Sequence, residues 1–257
     1  MTVNSYLQQL SSDLVLSPSE NESVSKSKDA IMTRLRLYFD TDINEMNLFG
    51  SYDRGTILPR KADENSDIDL MIVFNNSNQY KPQTFLNRLK LFAEKYYNTS
   101  IIHQSSPSIV IDLQHIKFEL TPAYIEHGLY YIPRNQTDWM ITDPDGFSDS
   151  LVECNRNNDY IIKPIVRLLK LWNIEKNYRD IASFELEKTI AYEMKFAYIY
   201  LTSYTDYVRE CFEKIKYKTD SSRVSSAIDH IDKAVDYERQ GLSYSAEQEI
   251  KKVFPEI

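Results

Sequence analysis

Residues 67–74, Asp-Ile-Asp-Leu-Met-Ile-Val-Phe, constrain the fold of this chain more than any other stretch. From Ile68 onward the run is rich in β-formers and bounded by polar residues, so it reads as a strand. Successive side chains of a strand point to opposite faces, which puts Asp67 and Asp69 on one face and Ile68 and Leu70 on the other. Two carboxylates side by side repel, and a divalent cation removes that cost; oxygen ligands of this kind suit magnesium. An Asp-x-Asp pair alone arises often by chance. Here it follows Asn47-Leu48-Phe49, a strand that stops at a tight Gly50-Ser51 turn. The chain has only five glycines, yet Gly50 and Gly55 fall within six residues. Backbone N–H groups at such a turn, with the Ser51 hydroxyl, can receive phosphate oxygens that a metal brings in from the opposite side. The bland alternative is a strand, a loop and a second strand with a solvated acidic edge.

A centre with two metal ions usually needs a third carboxylate. Glu119, in Ile-Lys-Phe-Glu-Leu-Thr-Pro-Ala-Tyr, is the leading candidate, because its charge interrupts an apolar strand expected to neighbour residues 68–74. Asp112 on the preceding strand is the competitor. Lys170, beside Leu168-Leu169, reads equally as a solvated lysine, and Arg167 as a structural ion-pair partner. Trp139 and Trp172 read as packing residues, and Phe184 by default as core. The four histidines show no ligand spacing. Asp143-Pro144-Asp145-Gly146 reads as a β-turn.

Periodicity supplies the rest of the plan. Helices are expected near residues 3–15, 26–40 and 83–97, the last with Phe85, Leu86, Leu89 and Phe92 at helical spacing. Runs 108–113 and 116–120 form a hairpin, closed at Thr121-Pro122 because proline cannot continue a central strand. Residues 56–66 read as a mobile, solvated connection. Beyond residue 147 the pattern turns helical, at 160–173, 183–201, 221–238 and 243–254. The expected fold class is α+β: a first domain of residues 1–147 with N-terminal helices and a mixed α/β core, then a helical lobe of residues 148–257, with a cleft between them.

Gly-Ser-Tyr-Asp-Arg-Gly-Thr at 50–56 followed by Ser-Asp-Ile-Asp-Leu at 66–70 resembles the DNA polymerase β-type nucleotidyltransferase superfamily. Within it, the chain is similar to the bacterial cGAS/DncV-like nucleotidyltransferases (CD-NTases, the SMODS family). The narrower likeness rests on Phe-Glu-Leu-Thr-Pro-Ala-Tyr at 118–124, Lys-Pro-Ile-Val-Arg-Leu-Leu-Lys-Leu-Trp-Asn at 163–173, and Ser-Phe-Glu-Leu-Glu at 183–187. Trp-Met-Ile-Thr-Asp-Pro at 139–144 agrees with the same alignment. The resemblance implies that Gly50 and Ser51 hold a donor triphosphate. It implies that Asp67, Asp69 and Glu119 bind two Mg²⁺ (or Mn²⁺) ions, with Glu119 helping to deprotonate an acceptor hydroxyl. Lys170 would contact the triphosphate, Ser183 would add a hydrogen bond, and Phe184 would stack on the donor base. Two features depart from the family's pattern. Its third carboxylate is more often Asp, and its helical lobe is longer, so the acceptor pocket here is reduced.

The implied activity is synthesis of a cyclic or short linear oligonucleotide messenger from NTPs, with ATP or another NTP as substrate, in antiphage (CBASS) defence. Regulatory or effector proteins of a defence operon are the expected protein partners. Alternatives are a toxin–antitoxin type nucleotidyltransferase that adds AMP to a protein, and a catalytically silent nucleotide-binding module. A net charge of −8 argues against gripping long nucleic acid and favours a small acceptor. Two cysteines cannot build a disulfide framework or a zinc site. No run approaches the length of a membrane span, and no signal pattern opens the chain, so it reads as cytoplasmic.

Overall fold

The strand expected at residues 68–74 forms and lies second in a mixed sheet of the computed structural model, which describes residues 1–257. In chain order the first elements are α1 (Val3–Asp13), α2 (Pro18–Phe39), β1 (Ile43–Phe49), α3 (Gly50–Asp53), β2 (Asp67–Phe74) and α4 (Pro82–Tyr96). Strands β3 (Ile101–Ser105), β4 (Ser108–Leu113), β5 (Ile116–Glu126), β6 (Leu129–Pro133) and β7 (Trp139–Thr142) follow. Helices α5 (Pro144–Asn157), α6 (Ile162–Glu175), α7 (Ser183–Glu193), α8 (Tyr204–Ile215), α9 (Ser221–Arg239) and α10 (Ser243–Val253) complete the chain.

One compact unit comprises Leu16–Arg60 and Asn65–Gly146. Its sheet runs β1-β2-β5-β4-β3, with β2 and β5 parallel and the other neighbours antiparallel. Ile68, Leu70, Ile72 and Phe74 of β2 share a core with Phe118 and Leu120 of β5 and Ile109 and Ile111 of β4. Helices α2 and α4 close that face through Ile31, Leu35, Phe39, Phe85, Leu89 and Phe92. Full burial of such side chains contributes about 1.5–3 kcal/mol each. Trp139 packs edge-on against Phe85 and Tyr124, as a packing residue should.

Four expectations for this unit need correction. Helix α2 starts at residue 18, not 26: Ser17 and Glu20 form a reciprocal capping box and Pro18 occupies the first turn. Apolar periodicity misses this half because only Val24 is buried before Ile31. Pro122 does not end its strand, since β5 continues to Glu126 and Pro122 pairs with Ile72. The proline falls in the gap between the β4 pairing, which ends at Leu120, and the β6 pairing, which begins at Tyr124, so no donor is missed there. Residues 56–66 are not a solvated connection: Thr56, Ile57, Leu58, Ala62 and Ser66 are buried, and the Ser66 hydroxyl donates to the Leu58 carbonyl at 2.7 Å. Asp143-Pro144-Asp145-Gly146 is the start of α5, with the Asp143 carboxylate accepting the Gly146 N–H at 2.9 Å.

The second unit comprises Met1–Val15, Lys61–Glu64 and Phe147–Ile257. Helix α1 therefore belongs with the later helices and not with the sheet, which corrects the expected division of the chain. The reason is an apolar stripe of Val3, Tyr6, Leu7 and Leu10, fully packed against this unit, with the Tyr6 hydroxyl donating to the Phe254 carbonyl at 2.7 Å. Trp172 sits edge-on to Phe212, 4.9 Å between ring centres. Helix α8 is an addition to the expected set; Tyr207, Val208, Cys211, Phe212 and Ile215 give it a helical stripe and Ser203 caps it. Helix α7 ends at Glu193 and not near 201. Ala191 is its last buried residue; Met194 caps the helix, and a separate 3₁₀ turn follows at 197–199 with Ala197 buried. No helix is long and apolar enough to cross a membrane.

If α1 is integral to the helical unit, Leu7→Ala removes a fully buried side chain and lowers unfolding free energy by about 2–5 kcal/mol. Urea denaturation monitored by circular dichroism reads this directly, and a change below about 0.5 kcal/mol would mean that α1 contributes little.

Candidate active site

The sheet face opposite α2 and α4 can be read as rows, because paired residues of neighbouring strands point to the same side. Asp67 of β2 pairs with Lys117 of β5, which pairs in turn with Asp112 of β4. In the next row Phe49, Asp69, Glu119 and Val110 stand side by side. The third row holds Asn47, Met71 and Thr121, and the fourth holds Glu45, Val73 and Ala123. Met71, Val73 and Ala123 form a small apolar cluster with Ile132, so the acidic rows occupy one end of the face and an apolar patch the other.

Gly50 follows the last residue of β1 and opens α3 directly beside this acidic row. Its φ is +73°, a conformation that favours glycine, and a Cβ built there would collide with the Asp69 carboxylate. Glycine is thus required twice over, by the backbone angle and by the approach of backbone to carboxylate. What the sequence suggests as a tight turn is a one-turn helix, α3, in which the Arg54 N–H returns to the Gly50 carbonyl and the N–H groups of Thr56 and Ile57 return to Ser51. The N–H groups of such a first turn have no partner within the helix.

The two candidates for a third carboxylate lie in different rows. Glu119 is the direct neighbour of Asp69. Asp112 stands one strand further away, opposite Lys117, with the Arg60 guanidinium 3.8 Å away. Burial pushes the pKa of Glu119 up; a hydrogen bond from Ser108 and the charge of Lys117 oppose that shift. Lys117 itself donates to Asn65 at 2.9 Å. No three acidic, histidine or cysteine side chains are gathered tightly enough to form a ready-made metal cage.

The remaining expected site residues lie in the helical unit. Lys170, on α6, is buried and its ammonium is 2.5 Å from Glu187 Oε1 on α7, itself fully buried. Glu187 is part of the Ser-Phe-Glu-Leu-Glu motif but carries no role in the sequence reading. The signal for it was the lysine: a cation on an otherwise apolar helix face needs a buried counter-charge. Arg167 is also buried, and burial lowers its pKa. Ser183 opens α7. Phe184 is not core: its side chain is 46% exposed and meets Phe147 edge-on, 5.0 Å between centroids.

With this geometry in view, comparison with known proteins decides the family. The model of the Second Messenger Oligonucleotide or Dinucleotide Synthetase domain, SMODS, matches residues 1–155, more than half the chain. The chain belongs to this family. A cyclic AMP-AMP-AMP synthase of Acinetobacter sp. (strain ATCC 27244 / 9458) is 24% identical over 207 residues, covering 76% of this chain. The match spans 60% of that relative's length. A probable cyclic nucleotide synthase of Bacillus cereus (strain VD146) is 24% identical, with 80% of each chain covered. Among solved structures, Escherichia coli MS115-1 CdnC in complex with HORMA-deltaN superimposes with a TM-score of 0.73 at 14% identity, covering 98% of both chains. Vibrio cholerae DncV, a cyclic AMP-GMP synthase, gives 0.72 at 11% identity over 95% of this SMODS chain and 92% of its own. At these identities the structures show a shared CD-NTase fold.

The acidic row yields a stability prediction. A carboxyl whose folded pKa is raised stabilises the fold below its unfolded value, near 4.5, and loses that contribution as pH rises through the folded value. In EDTA, Glu119→Gln should therefore raise the melting temperature at pH 7 and leave it nearly unchanged near pH 4. Differential scanning calorimetry at the two values tests this; equal shifts at both would show that the ionised carboxylate is not the destabilising group.

Proposed function

We propose that this chain is a nucleotidyltransferase that joins NTPs into a cyclic or short linear oligonucleotide messenger. The observation that supports this most is the placement of Asp69 between Glu119 and the Gly50 backbone, on the sheet face that also carries Asp67. Gly50 and Ser51 hold the triphosphate of the donor nucleotide through first-turn N–H groups and the Ser51 hydroxyl. An acceptor ribose hydroxyl attacks the α-phosphorus; a bond forms from that oxygen to phosphorus, the bridge to the β-phosphate breaks, and pyrophosphate leaves. Glu119, whose burial favours the protonated form, accepts the hydroxyl proton. Positioning supplies most of the rate, with no covalent intermediate on the protein.

The donor set fits magnesium, because Asp67, Asp69 and Glu119 offer hard carboxylate oxygens and nothing softer. Lack of a preformed cage fits too, since magnesium usually combines one or two carboxylates with substrate phosphates and water. When bound, two such ions would neutralise the triphosphate and the charge that develops on the reacting oxygens. Manganese suits the same ligands. Within the helical unit the exposed Phe184 ring is open to stack on a base and Ser183 beside it to add a hydrogen bond, whereas Lys170, paired with buried Glu187, would have to leave that pair to meet a triphosphate.

ATP is the proposed donor, on the strength of the cyclic AMP-AMP-AMP synthase relative. The charge of −8 favours a second nucleotide over a long nucleic acid as acceptor. The product would act in the cytoplasm in an antiphage (CBASS) signalling role, with a protein regulator as a partner, as the HORMA complex of the CdnC neighbour suggests.

Incubation of the purified protein with labelled NTPs and Mg²⁺ or Mn²⁺ should give phosphatase-resistant nucleotide products by chromatography. Asp67→Asn, Asp69→Asn and Glu119→Gln should each lower turnover by at least about 100-fold, whereas Asp112→Asn should stay within about five-fold of wild type. Label appearing on a protein would replace this reading with AMP transfer to protein. Absence of turnover with either metal, despite NTP binding, would overturn both.

A further inference from the structure

Behind Glu119 lies a pair of hydroxyls that the catalytic reading does not use. The side chains of Ser108 on β4 and Thr121 on β5 are about 1% exposed, and their oxygens are 2.8 Å apart. Each hydroxyl carries one proton. Their mutual bond occupies one of the two protons, and the other requires a separate acceptor, because a buried polar hydrogen without a partner is unfavourable. Ser108 lies two residues from Val110, the β4 partner of Glu119, so it stands on the same face and diagonal to Glu119. The carboxylate within reach of its hydroxyl is that of Glu119, in keeping with the opposition of Ser108 to the raised Glu119 pKa. The direction of the chain follows: Thr121 donates to Ser108 and Ser108 donates to Glu119. On its β4 side Glu119 pairs with Val110, which offers no polar group; of the two residues that flank Val110 on this face, Asp112 is a carboxylate and Ser108 a hydroxyl donor.

A glutamate has one more rotatable bond than an aspartate, so its carboxylate samples more positions unless something holds it. We propose that Ser108 and Thr121 are positioning residues that fix the Glu119 carboxylate beside Asp69 before nucleotide and divalent cations arrive. This rests on the catalytic reading of Glu119 given above. Thr121 acts only through Ser108, and Ser108 acts only through Glu119. Outer-shell partners of ligating carboxylates typically matter by about 10–100-fold in affinity or activity.

The test uses the full chain in four forms: Ser108→Ala, Thr121→Val, Thr121→Ser and the Ser108→Ala/Thr121→Val double variant. Two readouts are taken. One is Mn²⁺ affinity by electron paramagnetic resonance with a non-hydrolysable ATP analogue; the other is kcat and KM for ATP with Mg²⁺. Ser108→Ala should weaken Mn²⁺ binding and lower kcat by about 10–100-fold, with KM for ATP within about two-fold. Thr121→Val, which keeps the shape and loses the hydroxyl, should move both readouts in the same direction by less. Thr121→Ser, which keeps the hydroxyl, should restore them. The double variant should match Ser108→Ala, because the two residues act in series. Unchanged Mn²⁺ affinity and kcat in Ser108→Ala, while Glu119→Gln is inactive, would overturn this inference and leave the catalytic reading standing. Full activity in Glu119→Gln would instead remove the catalytic reading on which it rests. If Ser108→Ala fails to fold, the Thr121 pair decides: equal behaviour of Thr121→Val and Thr121→Ser would overturn the inference.

Discussion

The in-register parallel pairing of β2 with β5 is the contact on which the rest of the structure depends. It sets Asp69 beside Glu119 and Ile68 beside Phe118, and so assigns charge to one sheet face and apolar bulk to the other. A slip of one residue would turn Glu119 into the layer under α2 and α4 and Phe118 out among the carboxylates. The apolar face forbids that slip. Phe118, Leu120, Ile68 and Leu70 are each fully buried, and exposing any one of them costs about 1.5–3 kcal/mol. Precision at the acidic face is therefore maintained by packing on the opposite side of the same two strands.

Local strain follows from that arrangement. Carboxylates in adjacent positions repel, and burial penalises the ionised form of Glu119, so the apo protein is less stable than it would be with neutral residues there. The neighbouring features each offset part of this. Ser108 donates to Glu119, Lys117 contributes positive charge, and Gly50 leaves room for the Asp69 carboxylate where any other residue would collide with it. The helical unit repeats the pattern with Lys170 and Glu187, a buried charge matched by a buried counter-charge. Leaving one partner of such a pair alone would cost more than the pair itself contributes.

Where the sequence reading succeeded and failed has a common explanation. The two-fold period of Asp67 and Asp69 and the helical stripe of α4 are local, and both formed as expected. Strands β6 and β7 escaped because they are short, and four of their nine residues are only half-buried, with three exposed outright, so their patterns carry little contrast. Pro122 misled because its missing donor is harmful only where a neighbour needs it, and the neighbour is set by long-range pairing. Residues 56–66 look solvated by composition, yet Leu58 and Ser66 hold the segment in place.

The sequence by itself determined which residues are candidates for the chemistry and that Asp67 and Asp69 share one strand face, because backbone alternation is a property of neighbouring residues. It also sufficed to point to the SMODS family, to which the chain belongs, through motifs spaced along 50–187. Only the tertiary structure decided that Glu119 and not Asp112 is the neighbour of Asp69, that Lys170 forms an ion pair with Glu187, and that α1 packs with the later helices. Those facts depend on register and on contacts between residues far apart in the chain. No local period encodes them; the burial of apolar faces selects them.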